Sequence, residues 1–173
     1  PTIAGSVVGT YWFLMMIGRL CGASIGAKVS SRAMLTVVST VGIVLVLGAI
    51  FCADNILVNM PVFKSDISFG FAQVPINVML LILCGLCTSV MWGGIFNLAV
   101  EGLGKYTAAA SGLFMVMVCG GGILPLIQGG VADFAGFLNS YWVIALGLAY
   151  ILFYAAIGSK NVNTDIPTDD YEA

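Results

Sequence analysis

VPINVMLLILCGLCTSVMWGGIFNLAV, residues 74–100, runs for 27 positions without a charged side chain. A transmembrane helix needs about 20 consecutive apolar residues to cross the hydrocarbon core at 1.5 Å per residue. A buried helix of a water-soluble domain needs neither that length nor that purity. Four further windows, 3–27, 33–53, 106–132 and 134–159, have the same character and are 21 to 27 residues long. Together the five windows cover 126 residues and contain one charge, Arg19, whereas the other 47 residues hold 13. Hydrocarbon offers backbone groups no outside partner, so the spans must be helical, and a membrane barrel would show polar residues at alternate positions. The predicted fold is all-α: a polytopic membrane protein with a bundle of five transmembrane helices over 1–160 and an acidic tail over 161–173.

The 173 residues are 60% hydrophobic and 8% charged, with a mean hydropathy of +1.08. An ordinary soluble domain is about 25% charged. Fourteen charges cannot cover a water-soluble surface, which excludes a soluble enzyme, a nucleic-acid binder and a disordered chain. The chain contains no His, so His-based catalysis and His metal sites are excluded too. With no buried acid either, no catalytic constellation is visible, and the chain is not expected to be an enzyme. The net charge of −2 points to no charged partner.

Lys and Arg near span ends set the orientation. Lys28, Arg32, Lys105 and Lys160 fall on one side and Lys64 alone on the other. The turns at 28–32 and 101–105 and the C-terminus are therefore expected in the cytoplasm. The tail carries Asp165, Asp169, Asp170 and Glu172, and acids count little in this rule. Residues 54–73 form the long outer loop, with Phe63, Phe69 and Phe71 placed to meet the membrane interface. Tyr141 and Trp142 suit the outer aromatic belt. The chain begins at Pro1 and has an odd number of spans, which predicts the tail of a longer membrane protein.

Gly18, Gly22 and Gly26, with Ala23 and Ala27, form a small-residue face on the first span, suited to close helix packing. Arg19 lies eight residues from the end of that span, about 12 Å deep at helical rise. A charge at that depth faces protein or water. It is expected to hold a gate as an ion pair or carbonyl cap, with Asn97 and Glu101 as candidate partners, and direct contact with the ligand is the alternative. Thr88, Trp92 and Phe96 recur every four residues, and Ser89 lies three before Trp92. Rings that stack on C–H faces beside hydroxyls that hydrogen-bond suit a sugar, so Thr88, Ser89, Trp92, Phe96 and Asn97 are candidate substrate contacts. Gln128, the one amide of the fourth span, is a sixth, with an interhelical hydrogen bond as its other and commoner role. Gly120, Gly121, Gly122 and Pro125 mark that span as flexible or kinked. Its start, Ala108–Gly112, reads as a second packing face. The five cysteines lie inside spans; Cys84 and Cys87 make a C-x-x-C with no second pair, so they are packing residues and no metal or cofactor is expected. All eight acids lie outside the spans, so the titratable group that a proton-coupled carrier needs must come from elsewhere.

Gly18-Arg19-Leu20-Cys21-Gly22, followed by Lys28 and Arg32, resembles the span end and basic loop of a major facilitator carrier. The stretch SVMWGGIFNLAVEGLGKYTAAASGLFMVMVCGGGILPLIQGGVAD, residues 89–133, is more specific. It resembles the tenth and eleventh spans of the fucose–proton symporter family, which includes glucose/galactose carriers. The shared elements are Ile95, Phe96 and Leu98, Leu103-Gly104, the run Gly120 to Ile123, Pro125, Gly129 and Asp133. Where the family tends to have Tyr-Pro-Thr, this chain has Trp92-Gly93-Gly94. The resemblance implies spans eight to twelve of twelve, five helices of a six-helix C-terminal bundle. It implies a monosaccharide–proton symporter, for fucose or glucose/galactose, working by alternating access in a bacterial inner (plasma) membrane. The proton is then the coupling ion, and the family's proton and sugar carboxylates lie in the N-terminal bundle, which becomes this chain's partner along with the sugar and the lipid bilayer. A carrier for another solute, such as a drug or organic ion, and a non-transporting membrane subunit remain as alternatives.

Overall fold

The computed structural model describes residues 2–52, 55–63 and 68–160. The tail 161–173, Asp54, Lys64 and Asp66 lie outside the described residues. Five helices are long and apolar enough to cross a membrane: Ile3–Gly26, Ser31–Phe51, Ile76–Val100, Gly104–Ala135 and Tyr141–Gly158. The chain is an integral membrane protein. Helix α1 spans Thr2–Gly26, α2 Ser31–Phe51 and α3 Ile76–Val100. The fourth span is divided into α4, Thr107–Met117, and α5, Gly120–Ala135; α6 covers Tyr141–Phe153 and continues as a π-helical turn to Gly158.

Helix α3 is the centre of the arrangement. It packs on α2 along one side and on α1 along another, while α2 also packs on α6. The main core lies between α2, α3 and α6 and includes Leu35, Val46, Cys84, Cys87, Met91 and Leu148. The cysteines there are free and buried among apolar side chains. Elsewhere large apolar groups face outward: Val8, Trp12, Met16 and Leu20 make one exposed stripe on α1, repeating every four residues. In a water-soluble protein such surface would be a liability; against lipid or another membrane helix it is the expected state.

The segment read as an outer loop contains a β-hairpin. Strand β1, Leu57–Phe63, pairs antiparallel with β2, Phe69–Pro75, with Met60 opposite Ala72 and Phe63 opposite Phe69. The cause is a period-two pattern: Met60, Val62 and Val74 are buried, with Ile82 of α3 in the same cluster, and the residues between them face out. The hairpin packs on α1 and α3. Thr10 Oγ1 accepts a hydrogen bond from the Phe63 amide at 2.9 Å. Phe13 stacks on Phe63 at 5.4 Å and meets Phe69 edge-on at 5.6 Å. Phe63 and Phe69 thus engage α1, while Phe71 stays open. At the same end Trp142 meets Phe51 edge-on at 6.1 Å.

The fourth span breaks where glycine and proline weaken it. Around Val118 and Cys119 the hydrogen bonds shorten to the i→i−3 kind, for example Gly121 N to Val118 O at 2.8 Å. Pro125 follows inside α5 and has no N–H to give to Gly121, one turn back. Helix α5 ends at Gly136, whose φ of 94° favours glycine. The stretch Ala108–Gly112 packs less than its composition suggests: Ala108, Ala109 and Gly112 are exposed, and α4 reaches α3 through Phe114 instead.

At the opposite end from the hairpin, Ser30 caps α2 by accepting from the Ala33 amide at 3.3 Å. Arg32 Nη2 donates to the carbonyl of Ser159 at 2.9 Å. The last carbonyls of a helix lack intrahelical partners, and a cation is favourable there. This bond ties the first turn of α2 to the end of the final span. Arg32→Met keeps an apolar stem and removes the donor; it is expected to cost about 2 kcal/mol, as for a charged hydrogen bond. Thermal unfolding of the purified full-length protein in detergent checks this, and an unchanged midpoint would show that the carbonyl does not depend on Arg32.

Candidate functional site

Helix α3 distributes the predicted residues over three surroundings. Trp92 is 47% exposed, and its ring meets Phe114 of α4 edge-on at 5.1 Å and 62°. Phe96, one turn further, meets the same Phe114 at 5.4 Å and 74°. Two rings from α3 and one from α4 therefore make a single aromatic cluster in which Trp92 is partly exposed. Edge-to-face contacts of this kind hold each ring's orientation as well as burying area. Sequence reading missed Phe114, because nothing in the spacing of the fourth span points it toward α3.

Thr88 lies at the second surrounding. Its Oγ1 donates to the Gly85 carbonyl at 3.2 Å and lies 3.3 Å from the hydroxyl of Tyr11 on α1. Tyr11 is a second residue the sequence reading missed. Gly85 makes room for it: a Cβ at 85 would sit 2.9 Å from the Tyr11 ring. Tyr11 and Thr88 line an open cavity of about 460 Å³ whose other walls include Val46, Cys84, Tyr141 and Ile144, so that α1, α2, α3 and α6 all contribute.

The third surrounding is the α1 side of α3. Ser89 is buried, its hydroxyl donates to the Leu86 carbonyl at 2.6 Å, and it packs directly on Gly18. Gly22 packs on Val90 in the same way, whereas Gly26 is loose, with Met34 Cε 4.0 Å from the nearest point a Cβ would occupy. Arg19, Ser89 and Asn97 line a shallow groove together with Ser31 and Met34. The Arg19 guanidinium is exposed and makes its hydrogen-bond contact with Met15 Sδ at 3.9 Å, not with Asn97 or Glu101. Asn97 Nδ2 reaches Ser31 Oγ at 3.5 Å, and Glu101 lines a separate groove with Arg32 and Asn97. Ser89 is thus turned toward the α1 contact and away from the ring wall.

Gln128 is half-buried on α5, which packs against α6, so it stands apart from the α3 residues. At Gly120, Gly121 and Gly122 an added methyl would meet nothing within 4 Å, so these glycines act through the backbone at the α4–α5 break and not by admitting a neighbour. Among the described residues no group of His, Cys, Asp or Glu could hold a metal ion.

No family profile and no solved structure matches the chain. Curated proteins do. A glucose/galactose transporter of Brucella abortus is 44% identical over 77 residues, covering 44% of this chain and 19% of that protein. A putative glucose/galactose transporter of Helicobacter pylori is 32% identical over 155 residues, covering 87% of this chain and 33% of that protein. The L-fucose-proton symporter of Escherichia coli is 32% identical over 92 residues, covering 53% of this chain and 21% of that protein. The chain spans a third or less of the length of these relatives. Over that part, and in its membrane-length helices, the chain is similar to members of the fucose–proton symporter group of the major facilitator superfamily.

Proposed function

We propose that this chain is the C-terminal part of a monosaccharide–proton symporter that works by alternating access. The observation that carries the reading is the Trp92–Phe114–Phe96 cluster: three rings that hold one another, with Trp92 partly exposed and able to offer a ring face. Such a face suits the C–H side of a pyranose, and the relatives named for glucose, galactose and fucose agree with that chemistry. In this reading the spans supply cavity wall and moving helix, and the coupling carboxylates belong to an N-terminal bundle of the same protein, because the one acid within a described span, Asp133, lies in the last turn of α5 and the other four spans contain no Asp or Glu. The turns at 28–32 and 101–105 and the C-terminus then face the cytoplasm of a bacterial inner membrane. Gly18 and Gly22 keep α1 against α3, and the α4–α5 break lets that span bend during the cycle. The full-length protein in vesicles is expected to take up fucose, glucose or galactose with protons, so that an imposed pH gradient accelerates uptake and a protonophore abolishes the acceleration. A well-folded protein that takes up no monosaccharide would overturn the proposal.

A further inference from the structure

We infer that the apolar groove between α1 and α2 holds one acyl chain of an anionic phospholipid, with the headgroup phosphate at Lys28. The inference goes beyond the sugar reading and stands independently of which solute is carried.

Helices α1 and α2 are joined by the turn at 27–30, yet they scarcely touch, because each packs on α3. The groove left between them has a volume of about 400 Å³. Gly18 and Ile25 stand on one wall and Val37 on the other, Leu86 and Val90 of α3 form the floor, and Val29 lines it at the turn. No charged, hydroxyl or amide side chain lines it, so it offers a sugar no hydrogen bond. Ile25, Val29 and Val37 are all exposed. Depth, width and charge choose the occupant. Gly18 lies eight residues from the end of α1 at Gly26, about 12 Å at helical rise, and Val29 carries the groove on to the turn. Half of a hydrocarbon core about 30 Å thick is about 15 Å, so the groove is as deep as one leaflet and as one acyl chain. A helix about 10 Å across would need roughly 900 Å³ over 12 Å of that depth, more than twice the groove. The short turn also ties the two walls together at one end, which a slender chain tolerates and a helix does not. An acyl chain there touches protein on three sides and gains dispersion contacts that bulk lipid lacks. The charge lies at the same end. The stretch 27–32 carries Lys28 and Arg32 and no acid. Arg32 is committed to the Ser159 carbonyl. Lys28, next to Val29, is exposed and makes no hydrogen bond or ion pair among the described residues. A flexible ammonium at the end of a span is placed to meet a headgroup phosphate.

The test titrates the full-length protein, purified in mild detergent, with phosphatidylglycerol or with phosphatidylcholine of the same acyl chains, and counts bound lipids by native mass spectrometry. The wild type is expected to bind phosphatidylglycerol more tightly. Lys28→Gln should weaken phosphatidylglycerol about fivefold, the effect of one cation at an anionic headgroup, and leave phosphatidylcholine unchanged. Val37→Trp puts a large ring into the groove and should remove one bound lipid of either kind. If that variant does not fold, Ala33→Phe fills the same groove from beside the turn and should do the same. Lys105→Gln is the control: it removes a cation at the same end that does not line the groove, and phosphatidylglycerol binding should hold. Equal binding of the two lipids by the wild type overturns the inference, as does an equal loss in Lys105→Gln and Lys28→Gln. An undiminished lipid count in folded Val37→Trp or Ala33→Phe overturns it too; if that variant is also less stable, a helix of the same protein fills the groove. None of these results touches the carrier reading, which uptake measurements decide.

Discussion

Gly18→Ala and Gly22→Ala are each expected to destabilise the protein by about 1–3 kcal/mol, the range for overpacking a close contact. A methyl at Gly18 would collide with Ser89 Oγ and stand 3.0 Å from both Ser89 Cβ and the Leu86 carbonyl oxygen. The carbonyl is backbone and cannot turn away, so α1 must shift. A methyl at Gly22 would collide with Cγ1 of Val90. Valine is stiff at χ1 and lies in the same helix interface, which leaves it little room to yield. Because both changes push the same two helices apart, the double variant should lose less than the sum of the singles. Ser89→Ala in the Gly18→Ala background removes the hydroxyl from the collision and should recover part of the loss. Gly93→Ala is the control: nothing lies within 4 Å of its added methyl, so only helix propensity changes, and a gain of up to about 1 kcal/mol is expected. Unfolding midpoints in detergent decide it. A Gly18→Ala protein that melts with the wild type would show that the α1–α3 contact is looser than described.

The contrast between Gly18 and Gly93 also shows what the sequence can and cannot say. Spacing by four puts Gly18, Gly22 and Gly26 on one face, and two of the three meet α3. Nothing in the chain distinguishes Gly26, which is loose because α1 is ending there. The membrane spans are legible because hydrocarbon imposes length and purity on each span by itself, without reference to a neighbour. The hairpin is harder to read although Met60 and Val62 alternate with outward residues, because a loop between two spans is an adequate reading of a short polar-flanked segment. Ser89 shows the limit of helical arithmetic. It is about 100° around the helix from Thr88, at 3.6 residues per turn. An arc that wide touches two neighbours, and here α1 takes the Ser89 edge while α4 takes Trp92 and Phe96. Arg19 shows another: its depth is readable, but the choice of partner depends on where α3 ends and how far a flexible side chain reaches. Tyr11 and Phe114 are not legible, because each acts through a contact with another helix.

Trp92→Ala in the full-length protein is expected to lower sugar uptake at least about tenfold at equal surface amount, while expression stays near wild type. Trp92 is 47% exposed, so its removal leaves no large void in the core, and folding should tolerate it. Tenfold corresponds to about 1.4 kcal/mol, which is within what one aromatic contact supplies. Phe114→Ala sharpens the test. Phe114 holds both Trp92 and Phe96, yet it belongs to another helix. If sugar binds the wall as a unit, losing Phe114 frees the Trp92 ring to turn, and uptake should fall although Trp92 is still present. The double variant should then be little worse than Trp92→Ala, because Phe114 acts mainly by orienting a ring that is already gone. Independent losses that multiply would mean that Phe114 touches the sugar itself or supports another part of the cavity. Trp92→Phe should keep more activity than Trp92→Ala, since a smaller ring can still present a face to C–H groups. Full uptake by Trp92→Ala would remove the wall from the sugar path, and the site would then have to be sought elsewhere on α3.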